Sequence, residues 1–286
     1  MVFVSDMRCL KPILVKNPKT EQYVYAPCGN CYACLSNRRA EWSLRCSIET
    51  NYAKSSFFVT LTYAPGYEDG NVNKRDVQLF IKRLRRSLPG INLRYFIASE
   101  YGCRTDRPHY HGLFWLDHDL SFHDFSVKCE NAWHNGFIYV GDVTPADIHY
   151  TTSYCITKDE VVDGLCPNFY LMSRNPGIGY QLIKSRVFVP GKNGYRKKFV
   201  LDSYKLDSFN TDNCYLAQDG FKYAMPRFYR DNIYSDIEKK TIKQKKEFRD
   251  LKNPPLKPAI NILADEQAFE HFEKEKKRHF TKKNKI

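Results

Sequence analysis

The sequence lacks several features that would place it in a familiar class of proteins. No apolar run approaches the ~18 residues that a membrane-spanning helix needs. The opening residues, MVFVSDMRCLKP, contain no basic region followed by an apolar core, so we expect no secretory signal. The chain also has no GxxxxGK[ST] loop for binding nucleotide phosphates. We therefore expect neither a membrane protein nor a fused helicase of that type.

Acidic residues are fewer than basic residues. The chain has 286 residues with 45 Lys and Arg against 32 Asp and Glu, a formal net charge of +13. Such an imbalance favours a polyanionic partner, with nucleic acid first and an anionic membrane surface second. Aromatic residues make up 15% of the chain, with 20 Tyr and 19 Phe.

Ten cysteines are present, and without a secretory signal we expect them in a reducing compartment. Cys28, Cys31 and Cys34 form a CxxCxxC pattern with Cys9 upstream. Four thiolates suit a structural zinc ion, and related spacings also hold iron–sulfur clusters. Reduced cysteines with a purely structural role are the remaining interpretation.

The residue patterns predict an α+β fold. From residue 57 onward the predicted order is β-α-β-β-α-β-α: strands at 57–63, 93–100, 108–116 and 136–142, helices at 74–88, 121–134 and 146–158. The first six elements are those of the ferredoxin-like, or RRM-like, βαββαβ core, an antiparallel sheet with helices on one face. The last helix is expected beside the open sheet face. A further helix is expected over 35–54.

We divide the chain into four parts on this basis. Residues 1–56 are an N-terminal segment with the cysteine cluster and a helix, and 57–160 form the core. Residues 161–230 are a mixed extension with strand-like pieces such as RVFV and RKKFVL. Residues 231–286 are a charged, helix-compatible and basic tail.

One predicted strand suggests a metal site. His109 and His111 are separated by one residue, so both side chains point to the same face while Tyr110 points into the core. Glu100 ends the preceding strand, which folds back beside the histidines. Two imidazoles and a carboxylate suit a divalent ion such as Mn²⁺ or Mg²⁺. The alternative is that these histidines are ordinary surface or core residues.

The last predicted helix carries candidate nucleophiles. Tyr150, Tyr154 and Lys158 lie at i, i+4 and i+8 and share one helix face. A tyrosine hydroxyl attacks phosphorus when a cation polarises the phosphate and the geometry is in line. Lys158 is placed to stabilise charge on the phosphate or phenolate. The alternative is that both tyrosines only pack the helix onto the sheet.

Taken together in this order, these segments resemble the motifs of a known family. FVTLTY at 58–63, RPHYHGLFW at 107–115 and the Tyr150–Lys158 helix are similar to those of the HUH rolling-circle replication initiators, in particular those of gokushovirus-type Microviridae. PCGNCYAC at 27–34, FYLMSRNPGIG at 169–179 and MPRFYR at 225–230 look like this phage family too.

The resemblance implies metal-dependent nicking and rejoining of single-stranded DNA at a phage origin, through a 5′-phosphotyrosine link. Glu100, His109 and His111 would be the metal ligands. Tyr154 is expected to make the first nick because it is nearer Lys158. The implied partners are origin DNA and the host replication helicase and polymerase, with no membrane, in the cytoplasm of a bacterial host.

Basic residues are expected to contact the DNA: Arg104, Arg107, Lys82, Arg83 and Arg86. Three alternatives to a replication initiator stay open. They are a related HUH transposase or conjugative relaxase, a non-catalytic nucleic-acid-binding protein that uses the same sheet, and a zinc-containing regulatory DNA-binding protein.

Overall fold

The structure is a computed structural model that describes residues 2–4, 9–18, 21–67, 69–102, 107–154, 164–184, 186–191, 194–199, 215–218, 221–233, 240–241, 243–245 and 248. The chain divides into two compact units. Arg39–Ser203 form one, and Met1–Arg38 with Tyr204–Ile286 form the other. No described helix is long and apolar enough to cross a membrane.

The described helices and strands follow in chain order. The helices are α1 Tyr32–Tyr52, α2 Lys74–Arg86, α3 Phe122–Ala132, α4 Pro145–Ser153, α5 Gln181–Lys184 and α6 Arg227–Ile233. The strands are β1 Val2–Val4, β2 Ile13–Lys16, β3 Tyr23–Ala26, β4 Ser55–Tyr63, β5 Leu93–Tyr101, β6 Pro108–Leu116, β7 Gly136–Asp142, β8 Tyr170–Met172, β9 Arg186–Gly191, β10 Gly194–Phe199, β11 Tyr215–Gln218 and β12 Phe221–Ala224.

The unit of residues 39–203 is built around a five-stranded antiparallel sheet of order β7-β4-β6-β5-β8. Strands β4, β5, β6 and β7 are the four predicted strands of the βαββαβ core. Their order in the sheet, β7-β4-β6-β5, is that of the split βαβ arrangement. The predicted fold class is therefore confirmed. Strand β8 extends the sheet beyond the predicted core by pairing with β5, with Met172 opposite Phe96. Strands β9 and β10, which contain the predicted strand-like pieces, form a separate hairpin.

Helix α2 shows why the sequence forms its elements where it does. The Asn73 side chain accepts a hydrogen bond from the Arg75 amide and caps the first turn. Basic residues occupy the last turn, where they complement the helix dipole. The buried face packs onto the sheet through an apolar stripe: Val77, Phe80, Ile81 and Leu84.

One face of the sheet carries α2 and α3. Alternate residues of β4 point to this side, beginning with Phe57, whose ring stacks on Phe125 of α3 with centroids 4.2 Å apart. Tyr110 of β6 is fully buried here, as predicted. At the start of β7, Gly136 has φ of +154°. A Cβ on Gly136 would lie 2.2 Å from the Ala64 nitrogen, so the close approach of β7 to β4 requires glycine.

The second face receives α4 and the part of α1 that follows residue 39. Ile148 of α4 packs against Phe58 and Leu113 in one buried cluster. The Trp42 ring of α1 lies 5.2 Å from the Phe96 ring. Helix α4 therefore lies on the expected face. The α1 packing was not expected, and it covers part of a face that the sequence predicted to be open.

A buried ion pair holds α1 to β5. Both oxygens of Glu49 accept hydrogen bonds from the Arg94 guanidinium, and the two side chains are 1% and 7% exposed. Glu49 also accepts from the Gly179 amide at 2.6 Å and from the Gln181 side chain at 3.1 Å. Arg94 donates to the Pro176 carbonyl at 3.0 Å. These bonds satisfy both buried charges and tie residues 176–181 to the sheet.

The other unit contains a three-stranded sheet of order β1-β12-β11, the antiparallel hairpin β2–β3, and α6. The predicted charged tail at 231–286 begins within α6, but most of it lies outside the described residues.

We expect Glu49→Ala to destabilise the protein by about 3–5 kcal/mol, because it leaves the Arg94 charge buried without a partner. Glu41→Ala is the matched control on the same helix. Glu41 is 33% exposed, and without it Arg45 keeps a 3.1 Å hydrogen bond to the Ile178 carbonyl oxygen, so the loss of Glu41 should cost less than the loss of Glu49. Equilibrium urea unfolding of both variants measures the difference. Equal losses would contradict a dominant role for the buried pair.

Candidate active site

The pairing register of the sheet gathers polar side chains on its second face. Glu100 of β5 lies opposite His109 of β6, and Thr60 of β4 lies opposite His111. Along a strand, alternate side chains point to the same face. The register therefore brings a carboxylate, two imidazoles and a hydroxyl to one end of this face, as the sequence predicted for the first three.

His111 is held on both sides of its ring. Its Nε2 lies 2.8 Å from Glu100 Oε2, and its Nδ1 lies 3.1 Å from Thr60 Oγ1. The Nε2 nitrogen faces the carboxylate and the Nδ1 nitrogen faces the Thr60 hydroxyl, so polar partners fix the orientation of the ring from both sides. His111 is 6% exposed. Sequence reasoning missed Thr60, although its polar position in the alternating FVTLTY pattern was the signal that could have found it.

His109 is oriented by backbone groups. Its Nδ1 lies 2.7 Å from the Arg107 carbonyl oxygen, so this nitrogen carries the proton and donates. The ring packs against Gly102, where an added Cβ would lie 3.2 Å from His109 Cε1. This contact leaves Nε2 as the nitrogen that can serve as a metal ligand.

Helix α4 brings both candidate tyrosines to His111. The Tyr150 hydroxyl donates to Glu100 Oε2 at 3.1 Å and lies 3.4 Å from His111 Nε2. The Tyr154 ring stacks on the His111 ring, with centroids 5.5 Å apart and planes within 11°. The i, i+4 spacing places both rings on one helix face. The structure therefore brings together Tyr150, Tyr154, Glu100 and His111.

The start of α4 is fixed by its own sequence. The Thr144 side chain accepts from the Asp147 amide at 3.3 Å, and Asp147 accepts from the Thr144 amide at 2.9 Å. This is a capping box, with Pro145 at the first helical position. The helix spans Pro145–Ser153 with Tyr154 as its C-terminal cap, and the last predicted helical residues, 155–158, lie outside the described residues.

Burial and charge act in opposite directions on two groups of the cluster. Burial raises the pKa of Glu100, but the hydrogen bond and charge of His111 outweigh it, so the Glu100 pKa is lower than usual. Burial raises the pKa of Tyr154, and the nearby Glu100 charge raises it further. At neutral pH Glu100 is therefore ionised and the Tyr154 phenol is protonated.

The donor atoms fit a divalent cation by chemical type. Two imidazole nitrogens and one carboxylate oxygen are a set that binds Mn²⁺ or Mg²⁺ with positions left for substrate. Glu100, His109 and His111 do not bring their ligand atoms within 4.8 Å of one another; in the described part of the chain only the four cysteines do so. The Glu100–His111 pair is held instead by its own hydrogen bond.

The basic residues of α2 lie away from the cluster. Helix α2 packs on the first face of the sheet, and the histidines point to the second. Lys82 and Arg86 are exposed, and Arg83 donates to the Ala132 carbonyl oxygen at 3.3 Å. The structure does not bring these three residues to the cluster.

Of the basic residues expected nearer the histidines, only one lies in the described part of the chain. Arg107 precedes β6, and its guanidinium donates to the Tyr63 carbonyl oxygen at 2.6 Å, so it supports the strand ends beside His109. Arg104 and Lys158 lie outside the described residues.

Comparisons with known proteins agree with these motifs. Residues 56–160 match the model of a family described as replication-associated protein ORF2. The chain is 27% identical to replication-associated protein ORF2 of Spiroplasma virus 4, over 84% of this chain and 86% of that protein. It is 28% identical to replication-associated protein VP4 of Bdellovibrio phage phiMH2K, over 53% of this chain and 58% of that one.

A third relative is replication-associated protein ORF4 of Chlamydia phage 1, which is 24% identical over 72% of this chain and 52% of its own length. No solved structure matches the chain. The resemblance to microvirus replication proteins that the sequence motifs indicated is confirmed by these matches.

Because the pKa of Tyr154 is raised in the folded protein, we expect the free energy of unfolding to fall at alkaline pH. The unfolded phenol loses its proton near pH 10 while the folded one keeps it, so unfolding is favoured as pH rises above about 10. Tyr154→Phe should therefore reduce the decline in unfolding free energy above that pH by about 1.4 kcal/mol per pH unit. Urea unfolding at several alkaline pH values measures the slope. Tyr139→Phe, which removes a 62% exposed phenol, is the control. The same slope in Tyr154→Phe and wild type would contradict the burial of this hydroxyl.

Proposed function

We propose that the chain is a rolling-circle replication initiator of the HUH type, a metal-dependent endonuclease and strand transferase that nicks and rejoins single-stranded DNA at a phage origin. One observation carries the proposal. The Tyr150 hydroxyl lies against the Glu100–His111 pair, within the segment that matches a replication-associated family model. We assign the activity to residues 57–160.

The chemistry proposed for Tyr150 is a transesterification. Its hydroxyl oxygen attacks the phosphorus, a 5′-phosphotyrosine bond forms, and the bond to the 3′ oxygen breaks. Glu100 Oε2 accepts the hydrogen bond of the phenol and orients its oxygen. The phenol proton is released to solvent, and the leaving 3′ oxygen takes up a proton from solvent to become a free hydroxyl. The new phosphodiester keeps the bond energy, so the reverse reaction rejoins strands.

The residues proposed to hold a divalent cation are Glu100, His109 and His111. When bound, Mn²⁺ or Mg²⁺ would polarise the scissile phosphate as a Lewis acid. The chain's own contribution is orientation: Thr60 holds the His111 ring at Nδ1, and the Arg107 carbonyl holds His109. Such supporting contacts fix the orientation of ligand rings.

The geometry favours Tyr150 for the first attack. The sequence had favoured Tyr154, because Tyr154 is nearer to Lys158 in the chain. The Tyr150 hydroxyl is already oriented by its hydrogen bond to the Glu100 carboxylate. Tyr154 is 8% exposed, and burial raises its pKa, so its hydroxyl is harder to ionise. We propose that Tyr154 serves the second cleavage, which closes the circle.

A surface beside the cluster suits unpaired DNA. Phe137 and Tyr139 of the edge strand β7 pair with Thr62 and Thr60, so they share the face of the histidines. They are 64% and 62% exposed. Exposed aromatic rings on a sheet bind single strands by stacking on bases, whatever the sequence. We propose that the strand to be cut crosses these rings on its way to Tyr150.

The biological setting follows from the same proposal. The relatives are replication-associated proteins of small phages. The substrate would be the origin of such a phage genome. The host polymerase would extend the free 3′ end, and the host replication helicase would unwind the duplex ahead of it. The reaction would take place in the cytoplasm of a bacterial host.

The direct test is cleavage of labelled single-stranded DNA that tiles the cognate phage genome, followed by denaturing gels. We expect a covalent protein–DNA band with Mn²⁺ or Mg²⁺ and none with EDTA. Tyr150→Phe should lower single-turnover nicking by about 100-fold or more, because it removes the first nucleophile. The double variant with Tyr154→Phe should form no band.

Two controls accompany this assay. Tyr139→Phe keeps the aromatic ring on the sheet and should still form the band. Tyr154→Phe alone should nick but fail to complete strand transfer. Binding without any covalent band on the full set of genome fragments would reduce the chain to a nucleic-acid-binding module.

Removing the exposed rings should weaken DNA binding independently of chemistry. We expect Phe137→Ala and Tyr139→Ala each to raise the Kd for single-stranded DNA by roughly 5- to 150-fold, the loss of about 1–3 kcal/mol of stacking. Phe122→Ala is the matched control, because Phe122 is 49% exposed on α3, on the other side of the sheet. Fluorescence anisotropy measures the Kd values. An equal effect of all three substitutions would exclude a specific stacking surface.

A further inference from the structure

Four cysteine sulfurs converge in the unit that contains the N-terminal segment. The Sγ atoms of Cys9, Cys28, Cys31 and Cys34 all lie within 4.8 Å of one another. Each of these side chains is partly buried, and none is in a disulfide. They come from three places in the chain: the loop before β2, the turn after β3, and the first turn of α1.

The sulfur spacing is that of a tetrahedral metal site. Four sulfurs bound at about 2.3 Å to a central ion are about 3.8 Å apart from one another. The Cys9 and Cys31 sulfurs are 3.8 Å apart, whereas a disulfide would need about 2.05 Å. We infer that these four cysteines form a structural zinc site of the Cys₄ type. This site is separate from the proposed catalytic cluster.

The turn between Cys28 and Cys31 is built to hold two sulfurs together. Gly29 has φ of +84°, a left-handed conformation that favours glycine. The Gly29 carbonyl is fixed by a 3.0 Å hydrogen bond from the Arg38 guanidinium. The Cys31 amide points at Cys28 Sγ at 3.3 Å, and the Cys28 amide points at Cys9 Sγ at 3.2 Å. Amide donors of this kind stabilise the thiolate form that binds metal.

The hairpin β2–β3 has few stabilising contacts of its own, which explains why a metal site would be needed here. It lies between Cys9 and Cys28 and pairs with no other described strand. An isolated two-stranded hairpin is marginally stable in water. Its large side chains add little buried surface, since Leu14, Tyr23 and Tyr25 are 55%, 67% and 77% exposed. A metal that links the residues on both sides of the hairpin offsets the cost of ordering it.

Zinc is the ion that this donor set favours. It takes four thiolates in a tetrahedron and has no redox chemistry in proteins. Binding releases the four thiol protons to solvent, leaving the ion and four thiolates with a net charge of −2. Such a closed site has no position for substrate, so its role is structural.

The test is the metal content of the intact, purified chain. We expect about one zinc ion per chain in the wild type by elemental analysis. Cys28→Ser and Cys31→Ser should lower this to near zero. Two variants should keep the zinc: Cys166→Ser, which changes an exposed cysteine outside the cluster, and His111→Ala, which removes a ligand of the proposed catalytic site.

A second measurement covers variants that fold poorly. Zinc in the wild type is exchanged for Co²⁺, whose visible spectrum distinguishes tetrahedral thiolate ligands from nitrogen and oxygen ligands. Removal of the metal by a chelator should also speed proteolysis within residues 9–34. The inference is overturned by iron in place of zinc, by a Co²⁺ spectrum without thiolate bands, or by zinc that is lost in His111→Ala. None of these readouts depends on DNA cleavage, so failure here leaves the proposed function to its own assay.

Discussion

The pairing register of β4, β5 and β6 is the constraint on which the candidate site depends. With Glu100 opposite His109 and Thr60 opposite His111, every polar group of the cluster points to the same face. A slip of one residue would turn the imidazoles into the core under α2 and expose Tyr110. The register is fixed by that core: Tyr110 is fully buried and hydrogen bonded to Tyr63 at 3.0 Å. Packing on one face thus determines the chemistry available on the other.

Four polar side chains of the cluster form hydrogen bonds with one another: Thr60, Glu100, His111 and Tyr150. An ionised Glu100 in an apolar setting would be costly alone, but it accepts from His111 and Tyr150. Thr60 occupies the remaining His111 nitrogen. The hydrogen bonds that lower the folding cost are the same ones that orient the groups. This explains why the site is held by side chains from rigid elements, strands and a helix, rather than by a loop.

Much of this arrangement could be predicted from the sequence because it rests on local patterns. The alternation of side chains along a strand predicted that His109 and His111 share one face. The i, i+4 spacing of a helix predicted that Tyr150 lies beside Tyr154. The rest depends on contacts between distant segments. The packing of α1 on the sheet relies on Glu49, Arg94 and residues 176–181, which no local pattern connects. Helix α2 itself was predicted, but it packs on the face of the sheet opposite the histidines, so the expected DNA contacts Lys82, Arg83 and Arg86 lie away from the cluster.

The two tyrosines are not equivalent, although their sequence spacing makes them look so. Both rings contact His111, Tyr150 edge-on at 4.9 Å and Tyr154 stacked at 5.5 Å. The Tyr150 hydroxyl donates to Glu100 at 3.1 Å, whereas the Tyr154 phenol is more deeply buried and its pKa is raised. Tyr150 and Tyr154 both lie against His111 and Glu100. The two hydroxyls therefore cannot occupy the same position beside the carboxylate at the same time. In the proposed reaction this exclusion gives an order to the two cleavages. A covalent link on Tyr150 would draw its oxygen away from Glu100 and leave that carboxylate for Tyr154.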